Sequence, residues 1–407
     1  IYLPAFEKVR ARRKTLEGHT AGASEKKLSR YAAAGISSCH EPIGADEALS
    51  RLRQGLYVMI REGSIRKDLA AVSEIRKSNV DTRRLVLVTD GVSPDELLHS
   101  GYMESVVQKA INCGFTPPDA VRMATLNVAE HFGLDGDIGA VAPGRYADFL
   151  LVPEIADIRA ACVVSNGRVI ARNGRRKADA AARPHRFSDA SRNSIHLPAP
   201  MTAGDFAVYP PDENLMQQVR VIEMVTDLVT REKIINMPVS EGIIPGDCEN
   251  DIVKIAAINR RQAPGKSFTG FIKGFGMTCG AMAASGAWDT SDIVVVGAED
   301  TDMAAAVNRI YETQGGIAAV KNGEVIAELP LPVFGVISDL AMDEIISRNQ
   351  ALTAAARDFG ISFADPLLTL VTLTGAAIPF LRICEQGLVD LKRGETGGLF
   401  DHTTVSA

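Results

Sequence analysis

Four ionisable side chains stand where an active site is easiest to build, each at the end of a stretch that reads as a short strand: His19, His40, Glu62 and Asp90. Imidazole and carboxylate are donors suited to Zn, Mn and Fe, and ligand type does not fix the metal among them. A metal shared by His19, His40 and Asp90 would lower the pKa of a bound water and supply hydroxide near neutral pH. Asp90 could then take the proton and pass it on. The residues equally allow His19 and His40 to be ordinary polar side chains at strand ends. Other patterns fail on their spacing. His40-Glu41-Pro42-Ile43-Gly44 opens like HExxH but has Gly where the second His must be, and no P-C-x-x-C pair is present. Gly274-Phe275-Gly276-Met277-Thr278-Cys279-Gly280 resembles GxGxxG with its third Gly one residue late, so close packing is the expected role. Neither GxxxxGK[ST] nor GxSxG occurs. His99, His131, His185, His196 and His402 fall on helices or in linkers, where surface roles are expected.

The elements that must carry these residues follow from periodicity. Leu16–His19, Gly35–His40, Leu56–Glu62 and Leu85–Asp90 read as strands, with helical stretches such as Ser24–Ala34 and Asp46–Gln54 between them. That rhythm predicts parallel βα units, and the spacing matches a (β/α)8 barrel, of which four units make half. Strand C-termini line the mouth of such a barrel, so the four residues can converge. Ser93-Pro94-Asp95-Glu96 has the capping-box arrangement. Met103, Val106, Val107, Ala110 and Ile111 then make one apolar helical face, and Thr116 starts a helix expected to stop at Gly133. From Gly139 the pattern turns to β, with Asn166-Gly167 as a type I′ hairpin signal. Residues 172–204 are rich in Arg, Ala, Ser and Pro, and 181–204 is expected to be an exposed linker, or else a flexible loop packed across a domain boundary. A second α/β region follows, with a buried-strand pattern at Ile293–Val296, a helix over Asp302–Tyr311 and a hairpin turn at Asn322-Gly323.

Composition narrows the class. The 407 residues suggest two to four domains at about 100–200 residues each. With 46% apolar and 23% charged residues, close to the average globular mixture, the composition argues against wholesale disorder. A net charge of −6 argues against a nucleic-acid coat or a polybasic membrane anchor, and no apolar run reaches the roughly 18 residues of a membrane span. Six scattered Cys without a CxxC pair read as reduced thiols of a cytoplasmic protein. No signal peptide is read, and the chain opens on Ile1 without an initiator Met, as a processed chain or a piece of a longer one would.

Leu16–Gly22, Ser38–Glu41, Met59–Ser64 and Val88–Gly91, in that order, resemble the second half of the barrel in the adenine deaminases of the amidohydrolase superfamily. Met123–Ala129 followed by Gly139–Asp148 resembles the exit by which amidohydrolase chains leave the barrel for a small β domain. Gly274–Gly276, Ile293–Gly297, Asp302–Asn308 and Leu329–Pro332 resemble the additional C-terminal domain of adenine deaminases. The resemblance implies an α/β fold: a partial TIM-like barrel over 1–138, a small β-sandwich segment over 139–180 and a C-terminal α/β domain over 205–407. It implies a divalent transition metal, binuclear, Mn or Fe with Zn as the alternative. His19, His40 and Asp90 would be metal ligands, Asp90 and Glu62 catalytic groups, and Arg61 and Ser64 substrate contacts. Arg61, Glu62 and Ser64 read equally well as an ion pair and a cap at a strand end. The strand-1 His-x-His and strand-4 bridging Glu of the family would precede His19 and are expected upstream of Ile1. The family often has His-Asp-Ser-His where this chain has Trp288-Asp289-Thr290-Ser291; Trp288 would then either offer a π face to a purine or serve in packing. The implied activity is deamination of adenine to hypoxanthine and ammonia, in purine salvage, by a homodimer or higher homo-oligomer. The alternatives are another metal-dependent amidohydrolase acting on a different aminopurine or a cyclic amide, and an inactive truncated chain.

Overall fold

The computed structural model describes residues 2–177 and 185–401, which form two compact units meeting at Pro184 and His185 in sequence. His402 lies outside the described residues. No helix among them is long and apolar enough to cross a membrane.

In the first unit, β1 (Ser38–Cys39), β2 (Tyr57–Arg61) and β3 (Leu85–Val88) form a parallel sheet in that order. Val58 pairs with Leu85 and Arg61 with Val88. Strand residues alternate between faces. Val58, Ile60, Leu85 and Leu87 therefore pack on one side, against Leu69, Val72, Ile75, Val106, Val107, Ala110 and Met123 from the covering helices. Half of the expected capping box forms: the Ser93 hydroxyl accepts from the Glu96 N–H (3.2 Å), starting the helix Pro94–His99, while the Ser93 N–H donates to the Ser64 hydroxyl instead of the Glu96 side chain.

Several expectations change here. Leu16–His19 is not a strand, because its backbone is tied by Leu16 O alone, which accepts from both the N–H and the hydroxyl of Ser37 (2.9 and 3.0 Å). The sheet therefore has three strands where four were expected. The helix expected from Thr116 to Gly133 is two, Pro117–Ala124 and Leu126–Phe132, broken where Thr125 leaves helical geometry (φ −132°, ψ −88°). His131 is not a surface residue. Its side chain is buried under the Tyr57 ring, and its Nε2 is paired with Glu17 (2.7 Å). The β segment is one antiparallel four-stranded sheet, β4 (Phe149–Leu151), β5 (Cys162–Ser165), β6 (Arg168–Arg172) and β7 (Arg175–Arg176), rather than a two-layered sandwich. Asn166 and Gly167 both take positive φ (47° and 73°) in its hairpin, as a type I′ turn requires.

The second unit is built on eight strands: β8 (Met216–Met224), β9 (Thr230–Pro238), β10 (Ile252–Asn259), β11 (Ser267–Lys273), β12 (Ala281–Ala284), β13 (Asp292–Gly297), β14 (Gly316–Lys321) and β15 (Glu324–Pro330). Their order is β15-β14-β12-β13-β10-β11-β8-β9, antiparallel except for β11 with β8. Both faces are covered, which is why the central strands read as unbroken apolar runs. Val253, Ile255, Ala257, Val294 and Val296 face Leu352, Ala355, Ala356 and Leu370 of the helices Met342–Asp358 and Pro366–Thr372. Ala256, Ile258, Ile293 and Val295 face Met303, Ala306, Val307 and Ile310 of the helix Asp300–Glu312. The expected linker is also corrected. Its described part, 185–204, belongs to this unit, and Ile195, Leu197 and Met201 are buried in the same core as Ile258. The near-GxGxxG loop is a packing device: a Cβ on Gly276 would lie 3.0 Å from Gly360 O. Trp288 is 39% exposed.

One buried group gives this unit a pH dependence. Asp292 is fully buried, one carboxylate oxygen accepts from the Glu385 N–H (3.3 Å), and the other has no partner among the described residues. Burial, aided by the nearby Glu385, pushes its carboxyl up to about 6. The folded chain thus holds this proton more tightly than the unfolded one, so stability from Asp292 is present at pH 4 and is lost as pH rises through about 6. By neutral pH the buried anion costs on the order of 3 kcal/mol. In thermal melts from pH 4 to pH 7, Asp292→Asn should gain on the unsubstituted chain as pH rises; a difference constant with pH would remove Asp292 as the cause.

Candidate metal centre

The site is assembled from residues far apart in sequence. His40 directly follows β1, and His19 lies on the extended segment beside it. Their rings meet edge to face, with centroids 4.7 Å apart at 78°. The segment bearing His19 is anchored from below by Arg51, which is buried in the helix Ala45–Arg53 and donates from Nη2 to Thr20 O (2.7 Å). Glu41, the next residue after His40, completes the cluster. Ligand atoms of His19, His40 and Glu41 all lie within 4.8 Å of one another. Glu41 Oε1 lies 3.0 Å from His19 Nδ1, and Oε2 accepts from the N–H groups of Thr20 and Ala21 (2.5 and 2.7 Å).

Electrostatics favour the metal-binding forms of His40 and Glu41. Burial holds the His40 imidazole below its ordinary pKa, with His19 and Arg61 acting the same way and Asp90 and Glu41 opposing. A neutral imidazole has a free lone pair. Burial also raises the Glu41 carboxyl, but the His19 hydrogen bond, its charge and the two backbone N–H groups outweigh this and leave it below the usual range. Two imidazoles and a carboxylate in reach of one point fit a divalent transition metal.

Asp90 is held beside this cluster by Arg61. The Arg61 guanidinium is buried, contacts Asp68 Oδ2 through Nε and Nη2 (2.9 and 2.8 Å), and donates from Nη1 to Asp90 Oδ2 (3.3 Å). Asp90 takes φ +53°, turning the chain sharply after β3. The loops after β2 and β3 touch at backbone level: a Cβ on Gly63 would sit 2.1 Å from Thr89 O. Glu62 is directed differently. Its Oε1 accepts from Lys109 (2.6 Å) on the helix Met103–Asn112, the core side of the sheet, while Oε2 is buried without a partner among the described residues. The Ser64 hydroxyl donates to Glu96 (2.6 Å) and accepts from the Ser93 N–H (2.7 Å). Of the residues expected at the site, His19 and His40 meet in the cluster, whereas Asp90, paired with Arg61, is not among its ligand atoms and lies near enough for its charge to act on His40. Glu62 and Ser64 engage the helices that follow β3. Glu41 was not expected at all; its position next to His40 was the available signal.

Residues 5–170 match the family described as "Amidohydrolase family", and residues 227–395 match the "Adenine deaminase C-terminal domain". The first unit is therefore an amidohydrolase-family region. Proteins named adenine deaminase from Moorella thermoacetica and Cenarchaeum symbiosum are 38% and 36% identical over 380 and 379 residues. These alignments cover 93% of this chain in each case, but only 63% and 61% of the relatives. The protein of that name from Clostridium botulinum strain Langeland is 34% identical over 390 residues, 95% of this chain and 65% of its own length. The chain is a homologue of the adenine deaminases and spans just under two thirds of the length of these relatives.

Proposed function

We propose that the protein of which these residues form part hydrolyses adenine to hypoxanthine and ammonia, at a site to which His19, His40 and Asp90 contribute. The observation that carries this reading is that similarity to proteins named adenine deaminase runs over 93% of the chain, while the residues that meet at the cluster fall within the amidohydrolase match over residues 5–170. The first unit is read as the second half of a (β/α)8 barrel, with the cluster at its mouth. When bound, a divalent metal, Mn or Fe with Zn as the alternative, lowers the pKa of a coordinated water. His19 and His40 would hold it through their imidazole nitrogens, neutral His40 needing no proton loss to do so.

Asp90 takes the proton of the attacking water and delivers it to the departing amino nitrogen, so that adenine and water give hypoxanthine and ammonia. Arg61 keeps the Asp90 carboxylate in place, since one of its oxygens is occupied by the guanidinium while the other is left to the reaction. Glu62 with Lys109, and Ser64 with Glu96, brace the two loops that present Asp90. The test is ammonia release from adenine by the purified product of the complete reading frame, beside other aminopurines and cyclic amides. Turnover of one of these with none of adenine would replace the substrate while keeping the amidohydrolase chemistry; no turnover of any would leave an inactive chain.

A further inference from the structure

We propose that Arg51 is the positioning residue of the segment that carries His19: its guanidinium ties the Thr20 carbonyl to the helix Ala45–Arg53 and so sets where His19 stands beside His40. The consequence for a metal rests on the reading of His19 as a ligand; the clamp itself does not.

The clamp makes up for a missing strand pairing. Leu16–His19 lies outside the sheet, so no backbone ladder beyond Leu16 O aligns it with β1. Side chains take over at the next residue, Thr20, which is buried. Its hydroxyl donates to Cys39 Sγ of β1 (2.6 Å). Its carbonyl accepts from Arg51 Nη2 (2.7 Å) and from the Ala23 N–H (3.1 Å), closing a turn directly after His19. Arg51 Nη1 donates to Glu47 O of its own helix (3.2 Å), so one planar guanidinium spans helix and segment. That helix is seated on the sheet through Ala48, which shares a core with Val58 and Ile60 of β2.

The kind of residue supports the same reading. Arg51 is 2% exposed, both its hydrogen bonds end on backbone carbonyls, and Nε has no partner among the described residues. Burying a cation without a carboxylate beside it costs stability. An apolar side chain of similar length would fill the same place without that cost. What the arginine adds is the bond to Thr20. Thr20 O keeps the Ala23 N–H when Arg51 is replaced, so the arginine is not needed to satisfy that oxygen, only to locate it. A shift of Thr20 moves the adjoining His19, and groups that orient metal ligands from outside typically contribute about 10–100-fold to affinity.

The experiment uses the product of the complete reading frame, freed of metal, with the variants Arg51→Met and Arg51→Lys. Hydrogen exchange is followed at Thr20–Ala23 and, for reference, in β2 and β3, and calorimetry gives the affinity for Mn2+ and Zn2+. Arg51→Met keeps the length of the side chain and removes its donors. It should melt no lower than the unsubstituted protein. It should exchange about fivefold faster at Thr20–Ala23 alone and bind the ions about 10–100-fold more weakly. Arg51→Lys, whose ammonium can donate to one carbonyl, should recover part of both losses. Unchanged exchange in Arg51→Met overturns the proposal, and so does faster exchange with full affinity. A lost fold, or faster exchange across β2 and β3, makes Arg51 a general support and overturns it too. Free exchange at Thr20–Ala23 in the unsubstituted protein does so without any variant. If exchange responds as expected yet the unsubstituted protein binds neither ion, the clamp stands and the metal reading of the site fails.

Discussion

His40→Ala, in the product of the complete reading frame, is expected to leave a folded protein without stoichiometric metal and without measurable release of ammonia from adenine. His40 sits in the turn after β1, half-buried against the His19 ring, and burial keeps it neutral. It is one of a handful of first bonds to the ion. Structural four-ligand sites bind zinc with about 10–16 kcal/mol, so one ligand accounts for several kcal/mol, about a thousandfold or more in affinity. The fold itself has little reason to fail. His40 is only half-buried and lies beyond the strand, so its removal opens no sealed core cavity. Elemental analysis beside a circular-dichroism melt decides the matter. Normal metal content together with near-normal turnover would remove His40 from the site.

The second large effect is expected at Asp90. Asn has almost the same shape, tolerates the positive φ of this position, and can still accept from Arg61 Nη1. What it cannot do is take a proton from water. General acid–base contributions are typically about 10²–10⁴-fold, and kcat of Asp90→Asn should fall by at least that order with the melting temperature nearly unchanged. A role confined to shaping the turn after β3 gives the opposite pattern, a stability loss of about 1 kcal/mol with turnover retained. Measuring kcat and the thermal midpoint on the same preparation separates the two. Wild-type turnover in a stable Asp90→Asn protein would end the case for Asp90 as proton carrier.

Arg61 and Glu62 show how far local pattern reaches. They are neighbours at the end of β2, and the sequence reading grouped them together as groups acting on substrate. A strand sends successive side chains to opposite faces. Arg61 accordingly reaches Asp68 and Asp90, whereas Glu62 reaches Lys109 on the helix-covered face. The alternation of Val58 and Ile60 into the core held that information in advance, because Glu62 continues their register. Ser64 was likewise legible as a cap: Ser93 and Glu96 had already been read as a capping pair, and Ser64 joins them.

By itself the sequence determined several features that depend on near neighbours, though not the break at Thr125 between two helices. Apolar runs set β2 and β3, Ser93 set a helix start, Asn166-Gly167 set a hairpin, and the run Ile293–Val296 set a strand covered on both faces. Such features follow from hydrogen bonds and burial repeating every two or three to four residues, which composition and spacing encode directly. Tertiary structure decided the rest. It left Leu16–His19 extended yet outside the sheet, because no second ladder bond forms beside Leu16. It folded 185–204 into a core through Ile195, Leu197 and Met201, despite their polar surroundings in sequence. It buried His131 against Tyr57 and Glu17. It placed Glu41 on His19, a partnership across 22 residues that only closure of the intervening chain can create. Periodicity says which way a side chain faces; what it meets there depends on which distant element the fold brings to the same place.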